Sequence, residues 1–411
     1  MPVGFAMAIV GCAGVIFVKG PHAGLSVLGT TPWQWVTSVD LICVPLFILM
    51  GQFCYHSRIT RDAYEVAYKW MGKFSGGLSM ATILGCSAFA ACTGSPVACA
   101  STMGTVAYPE MNRFNYDRKL AVGCICGGGT LGILIPPSIP FVIYGFIVYE
   151  SISDLFIAGI LPGLILAGLF IATIAVICAR NPKLGPRGES FSWRDRFFSL
   201  NSIWCEMVLF AVVIGGLYLG VFAPSEAGAV GAFSAFAIAS VRGTLTTRLC
   251  FQALKESLHL TCMIFILIIG AMIFNIFVTV SGAPRQLSAW LITLPLPPTV
   301  LVGLIILMYI PMGMVLDALA MVLLTVPVFA PIVSGLGFDL VWFGVVIILV
   351  MQVGLLTPPV GMVAYVINGV TGVPLDEVFR GCVPFVIAMC IMIILLIAFP
   401  QIALFLPHLM R

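Results

Sequence analysis

Apolar runs of helix length recur from one end of this chain to the other. Residues 155–179 and 383–399 hold no charged side chain, and residues 204–222 hold one, Glu206. A hydrocarbon core of roughly 30 Å is crossed by about 20 residues of α-helix, so each run is long enough to span or nearly span it. Of the 411 residues, 61% are hydrophobic and 9% charged, which excludes an ordinary soluble domain. The chain is therefore read as an all-α polytopic membrane protein. Its net charge of +3 lies in the loops, where it reports orientation and calls for no nucleic-acid partner. Most of the fourteen cysteines, among them Cys12, Cys43, Cys86, Cys178, Cys262 and Cys390, lie inside apolar runs and serve as small hydrophobes. Cys124 and Cys126 form a C-x-C with no second ligand pair, and the histidines (His22, His56, His259, His408) are scattered, so no metal site is expected. The N-terminus lacks the basic start and small-residue cleavage site of a signal peptide.

Compared with itself at an offset of 222 residues, the chain falls into register without a gap. Pro109 pairs with Pro331, Asp117 with Asp339, Gly132 with Gly354, Pro136 with Pro358, Pro137 with Pro359, Asp154 with Asp376, Gly159 with Gly381 and Pro162 with Pro384. Two apolar halves would match by chance at Leu and Val. Matched glycines and prolines instead imply a shared irregular backbone, and so a duplication. Loop charge sets the relative orientation of the copies, because basic residues mark the cytoplasmic side. In the first copy Arg58, Arg61, Lys69 and Lys73 follow the second hydrophobic run, and Arg113, Arg118 and Lys119 lie in the later loop. The equivalent segments of the second copy carry Arg285 alone, so the repeats are inverted. The division expected is 1–179 for the first repeat, a basic cytoplasmic connector over 180–202, and 203–411 for the second. Met1-Pro2 aligns with Ala223-Pro224, which in the second copy follows a transmembrane helix over 203–222; either the natural chain begins about twenty or more residues upstream of Met1, the preferred expectation, or the two copies differ there.

Both basic segments of the first copy face one side, so the run between them, 77–108, must enter and leave on that side as a re-entrant hairpin. Thr93-Gly94-Ser95-Pro96 breaks it at its centre. Its partner is 300–331, with the break placed at Pro311-Met312-Gly313 and Asp317 just beyond. Amphipathic stretches before the hairpins, 61–74 and 284–296, are read as arms on the membrane surface.

Two further segments interrupt apolar helices: Gly127 to Ser138, containing Pro136-Pro137, and Gln352 to Gly361, containing Pro358-Pro359. Consecutive prolines leave carbonyls without helical donors, and in hydrocarbon such groups are tolerated only where protein, water or a cation satisfies them. Packing alone would explain one such kink. Two at equivalent positions, each facing a broken hairpin, point to discontinuous helices that hold ions and an anionic substrate. The first Na+ site is placed at Thr93, Ser95, Gly132, Ile135 and Pro137, and the second at Gly313, Asp317, Gly354, Thr357 and Val360. Asp317, the one carboxylate deep in the second hairpin, is either an ion ligand or a hairpin cap. An anionic substrate would lie between the tips near Thr130, Ser138 and Asn368.

These segments, together with Pro45 to Gly51 and Leu324-Thr325-Val326-Pro327-Val328, resemble the large membrane subunit of tripartite ATP-independent periplasmic (TRAP) transporters, the DctM-like family of the ion-transporter superfamily. The resemblance covers essentially the whole chain. It implies an elevator mechanism in which a transport domain slides against a scaffold, and Na+ as coupling ion with no other cofactor. It also implies a bacterial or archaeal inner-membrane location, a small four-helix (DctQ-like) membrane subunit, and a periplasmic binding protein that delivers a small organic anion such as a C4-dicarboxylate or sialic acid. Members usually carry a second serine or another small residue where this chain has Pro96. The nearest rival is a stand-alone Na+- or H+-coupled carboxylate or citrate carrier of the same superfamily. A channel would pass current without counter-transport. A membrane enzyme would need a midplane nucleophile, base or metal cluster, and the sequence offers no H-E-x-x-H, Asp pair or Ser/His set.

Overall fold

The computed structural model describes residues 2–57, 59–293 and 295–410. Met1, Arg58 and Leu294, which the sequence argument used, lie outside the described residues. In chain order the helices are α1 (Val3–Lys19), α2 (Pro21–Val36), α3 (Cys43–His56), α4 (Ile59–Met71), α5 (Gly77–Thr93), α6 (Pro96–Arg113), α7 (Arg118–Thr130), α8 (Ile139–Val148), α9 (Ile152–Arg180) and α10 (Trp193–Leu200). The second half follows with α11 (Trp204–Tyr218), α12 (Pro224–Val241), α13 (Thr247–Val280), α14 (Ala283–Thr293), α15 (Pro298–Gly313), α16 (Ala318–Gly335), α17 (Leu340–Leu356), α18 (Met362–Thr371), α19 (Leu375–Ala398) and α20 (Gln401–Met410). No strand occurs among the described residues. The all-helical membrane fold expected from the apolar runs is what forms.

The 222-residue register reappears in the helix boundaries. Shifted by that amount, α6 falls on α16 end to end, and α1, α5 and α8 fall on α12, α15 and α18 to within two residues. The caps repeat as well. Asp117 Oδ1 accepts from the Leu120 amide at 3.1 Å, and Asp339 Oδ1 accepts from the Val341 amide at 2.7 Å, so α7 and α17 start on equivalent aspartates. One difference stands out. The first half bends by 64° between α2 and the residues 40–56 that include α3, whereas the second half runs straight through the same region as the 34 residues of α13. Among the described residues four helices are long and apolar enough to cross a membrane, α9, α13, α16 and α19, or up to six if each bent pair counts as one span.

Packing joins the halves reciprocally. α1 lies on α13 while α12 lies on α3, and α6 lies on α18 while α16 lies on α8. α7 with α19 and α17 with α9 make a third such exchange. Reciprocal contacts of this kind are the mark of a two-fold relation between similar units. At the centre are the first segments of the two broken helices, with every residue of Leu120–Thr130 and Val341–Leu356 buried. Since lipid is as apolar as leucine, close backbone approach has to supply the packing energy, and glycines permit it. A Cβ on Gly123 of α7 would lie 2.6 Å from the carbonyl carbon of Gly381 of α19. The arm α4 is tied to the second half by Arg242, which donates from Nη1 to Asp62 Oδ2 and from Nη2 to the Ser202 carbonyl, both at 2.6 Å.

Two boundaries differ from expectation. The hairpins run to Arg113 and Gly335 instead of 108 and 331, and the second one breaks over 314–317, not at 311–313. Pro311 is accommodated inside the last turn of α15, and the chain leaves the helix only where Asp317 caps the next one. We predict that Gly123→Leu lowers the stability of the detergent-purified protein by on the order of 3 kcal/mol in thermal unfolding. Gly168→Ala, where a Cβ would meet nothing within 4 Å, should leave it unchanged or slightly raise it.

Candidate functional site

Each hairpin tip sits on a helix break of its own half. At the first, α5 ends at Gly94, whose φ of 59° a side chain would resist, and a Cβ there would fall 2.7 Å from the Pro137 carbonyl oxygen. A Cβ on Gly132 would lie 3.2 Å from the Ser95 carbonyl carbon. Ser95, Gly132 and Pro137 are thus brought together as expected from sequence. Ser95 is also the N-cap of α6, its Oγ accepting from the Ala98 amide at 3.3 Å. Pro96 occupies the first position of that helix, where the missing N–H would have had no helical partner, so this departure from the usual small residue leaves the tip's capping intact. Ile135 closes the turn through its amide to the Leu131 carbonyl at 2.9 Å, with its side chain against Gly163 of α9. The Leu131–Ser138 segment is buried throughout.

The second tip follows the same plan with different chemistry. Gly313 and Gly354 touch backbone to backbone, so that a Cβ on Gly313 would lie 3.4 Å from Gly354 Cα. Asp317 stands 222 residues after Ser95 and does the same work, its Oδ2 accepting from the Leu319 amide at 3.2 Å as N-cap of α16. The chain breaks after Leu356 and resumes at Met362, with Gly361 at φ 51°. Both Pro-Pro bonds, 136–137 and 358–359, are cis. Where the first break is sealed, the second opens: Pro358, Pro359 and Val360 are exposed, Val360 by 41%.

Four hydroxyls at the breaks share one arrangement. Thr93 Oγ1 donates to the Phe89 carbonyl at 3.1 Å, Thr130 Oγ1 to Gly127 at 2.7 Å and Ser138 Oγ to Ile133 at 2.6 Å; Thr357 Oγ1 donates to Val353. A hydroxyl carries a single proton, so each presents only lone pairs to anything else. Lone pairs suit a cation. The same fact makes Thr130 and Ser138 poor donors to an anion, and Asn368 uses an Nδ2 proton on the Val373 carbonyl at 2.8 Å. Asn368 lies in the last turn of α18, seven residues and so about 10 Å along the axis past Gly361. Gln352 stands outside the sequence-derived set. It is fully buried, and neither its Oε1 nor its Nε2 has a hydrogen-bond partner among the described residues. The sequence signal for it was a lone amide side chain in an apolar helix, at the position equivalent to Thr130.

Comparison with known proteins decides the family. Residues 1–402 match the family described as tripartite ATP-independent periplasmic transporter, DctM component. The chain belongs to this family. It is 34% identical to the C4-dicarboxylate TRAP transporter large permease protein DctM of Pseudomonas aeruginosa over 369 residues, covering 90% of this chain and 86% of that protein. It is 32% identical to the sialic acid TRAP transporter large permease protein SiaM of Vibrio cholerae over 411 residues, 100% of this chain and 95% of the other. Among solved structures it is similar in fold to the YdaH transporter of Alcanivorax borkumensis, described as having an unusual topology, with a TM-score of 0.69, 13% identity, and coverage of 92% of this chain and 89% of that one. The chain is a TRAP large permease component, a transporter subunit and not an enzyme, as the motifs led us to expect.

The cap and the charge of Asp317 are separable in this permease. Asp317→Asn keeps a good cap and should cost only a few tenths of a kcal/mol in thermal unfolding, whereas Asp317→Ala should cost about 1 kcal/mol. Equal losses would mean that the cap contributes nothing.

Proposed function

We propose that this permease carries out Na+-coupled uptake of a small organic anion, a C4-dicarboxylate, a sialic acid or another carboxylate. It would work in the bacterial or archaeal inner membrane with a small four-helix subunit and a periplasmic binding protein that hands over the substrate. The observation that carries the reading is the pair of tip-on-break junctions at which Thr93, Thr130, Ser138 and Thr357 donate their hydroxyl protons to backbone carbonyls and keep lone pairs to offer. Oxygen lone pairs and carbonyls without helical donors are hard ligands for an alkali cation. The carbonyl of Gly132 is offered no helical N–H from residue 136, a proline; that of Gly354 loses residue 358 in the same way and accepts from the Thr357 amide at 3.3 Å instead. In this reading the first Na+ lies at Thr93, Ser95, Gly132, Ile135 and Pro137 and the second at Gly313, Asp317, Gly354, Thr357 and Val360. Residues 1–179 and 203–411 form the inverted repeats, joined by 180–202 on the cytoplasmic side.

An elevator motion is supported by how the reciprocal contacts group. α1, α3, α12 and α13 pair among themselves, the hairpins pair with the broken helices, and α9 and α19 pack on the broken helices in turn, while α3 on α5 and α13 on α16 join the two sets. The arms α4 and α14 stand between these two sets in the chain. The relatives named for C4-dicarboxylates and for sialic acid motivate the substrate class.

The test is uptake of labelled substrate into proteoliposomes holding the permease and small subunit, with the binding protein supplied, under an imposed Na+ gradient. Uptake should rise with the gradient, and uptake indifferent to Na+ sinks the coupling. Thr357→Ala removes one oxygen ligand while leaving the protein folded. The Na+ concentration for half-maximal uptake should rise about tenfold, equivalent to about 1.4 kcal/mol. An unchanged half-saturation removes Thr357 from the site.

A further inference from the structure

A fully buried primary amide with both ends unbonded is rare in a folded protein, because the groups lose water and gain nothing in return. Gln352 is such a group. It lies in α17 two residues before Gly354, where that helix meets Gly313 of the second hairpin, and α17 also touches α7 and the 3-10 turn Leu131–Ile133 of the first break. Its helix therefore runs between the two breaks. At the equivalent place in the first half stands Thr130, equally buried, with its hydroxyl satisfied by the Gly127 carbonyl of its own helix. Where one half carries a short, self-satisfied hydroxyl, the other carries a longer side chain that can reach away from its helix.

We propose that Gln352 is the side chain that links the cation to the anion. This rests on the Na+-coupled transport reading and deepens it. A primary amide has two faces of opposite polarity, since Oε1 offers lone pairs and no proton while Nε2 offers two protons and no lone pair. A cation at the second tip satisfies Oε1, and a substrate carboxylate satisfies Nε2. One neutral residue thereby joins two ligands of opposite charge, and each ligand polarises the amide in favour of the other. The hydroxyls nearby cannot take this role, because Thr130 and Ser138 have given their protons to carbonyls. Nothing else polar and uncommitted is buried in α7 or α17. Binding coupled in this way is reciprocal: Na+ tightens the anion by the factor by which the anion tightens Na+.

The assignment is tested with Gln352→Met, close in size and apolar, and Gln352→Glu, which keeps an acceptor at both ends and no amide donor. The readouts are uptake kinetics in the reconstituted complex and thermal unfolding of the purified permease with and without Na+. Gln352→Met should unfold at a higher temperature than wild type in Na+-free buffer, since two unsatisfied groups are gone. It should also lose most of the Na+-induced stabilisation and show a substrate KM that is at least tenfold higher and no longer lowered by Na+. Gln352→Glu should keep the Na+-induced stabilisation while its substrate KM rises at least tenfold, because one carboxylate then faces another. Three results overturn the assignment while leaving the transport reading in place: a Gln352→Met protein less stable than wild type without Na+, wild-type constants in both variants, or identical losses in both. A wild-type permease whose uptake and stability ignore Na+ overturns the transport reading and this assignment with it.

Discussion

The structure depends on one constraint, that a backbone N–H or C=O inside a bilayer finds no water to bond with. Unbroken helices meet it within themselves. This chain breaks its helices four times at the centre of the protein, twice in hairpins and twice in discontinuous spans, and each break is managed by a short polar side chain. Ser95 and Asp317 cap the returning hairpin helices, Ser138 turns its proton onto the Ile133 carbonyl inside the first discontinuous break, and Thr357 donates to the Val353 carbonyl at the second. Prolines stand where a missing N–H costs least: Pro96 at the first position of α6, and Pro224 and Pro298 opening α12 and α15.

Irregular backbone at this depth also needs to be covered by protein, and the reciprocal packing of the halves provides the cover. The returning arm of each hairpin lies on the helix that follows the break in the opposite half. Neither half could bury its own break alone in this arrangement. The glycines follow from the same demand. Gly123 against Gly381 and Gly354 against Gly313 are places where backbone meets backbone with no room for a Cβ on Gly123 or Gly354, and Gly132 against Ser95 is nearly as close. A duplicated sequence therefore keeps glycine and proline at matching positions while its leucines and valines drift, since the former fix the backbone path and the latter only fill space.

That is why so much of the fold could be read from the chain. The matched prolines and glycines placed both hairpins and both broken helices, and the helix boundaries follow the 222-residue register closely. Pro311 interrupts the hydrogen-bond ladder without ending the helix, which continues to Gly313, and the turn is set by the next cap, Asp317. Gln352 escaped notice because a single amide in an apolar helix has no periodicity to mark it, and only its burial and unbonded ends make it conspicuous.

The two junctions share a backbone and differ in what they offer a ligand. The first tip presents Ser95, a neutral hydroxyl, over a break that is buried throughout; the second presents Asp317, a carboxylate, beside a break whose residues 358–360 are exposed. Two cations held at such places would not be equivalent. The first would be bound by dipoles alone, whereas the second would face a formal charge. The same geometry occurs twice, and the copies diverge at one cap and one helix position, Ser95 against Asp317 and Thr130 against Gln352.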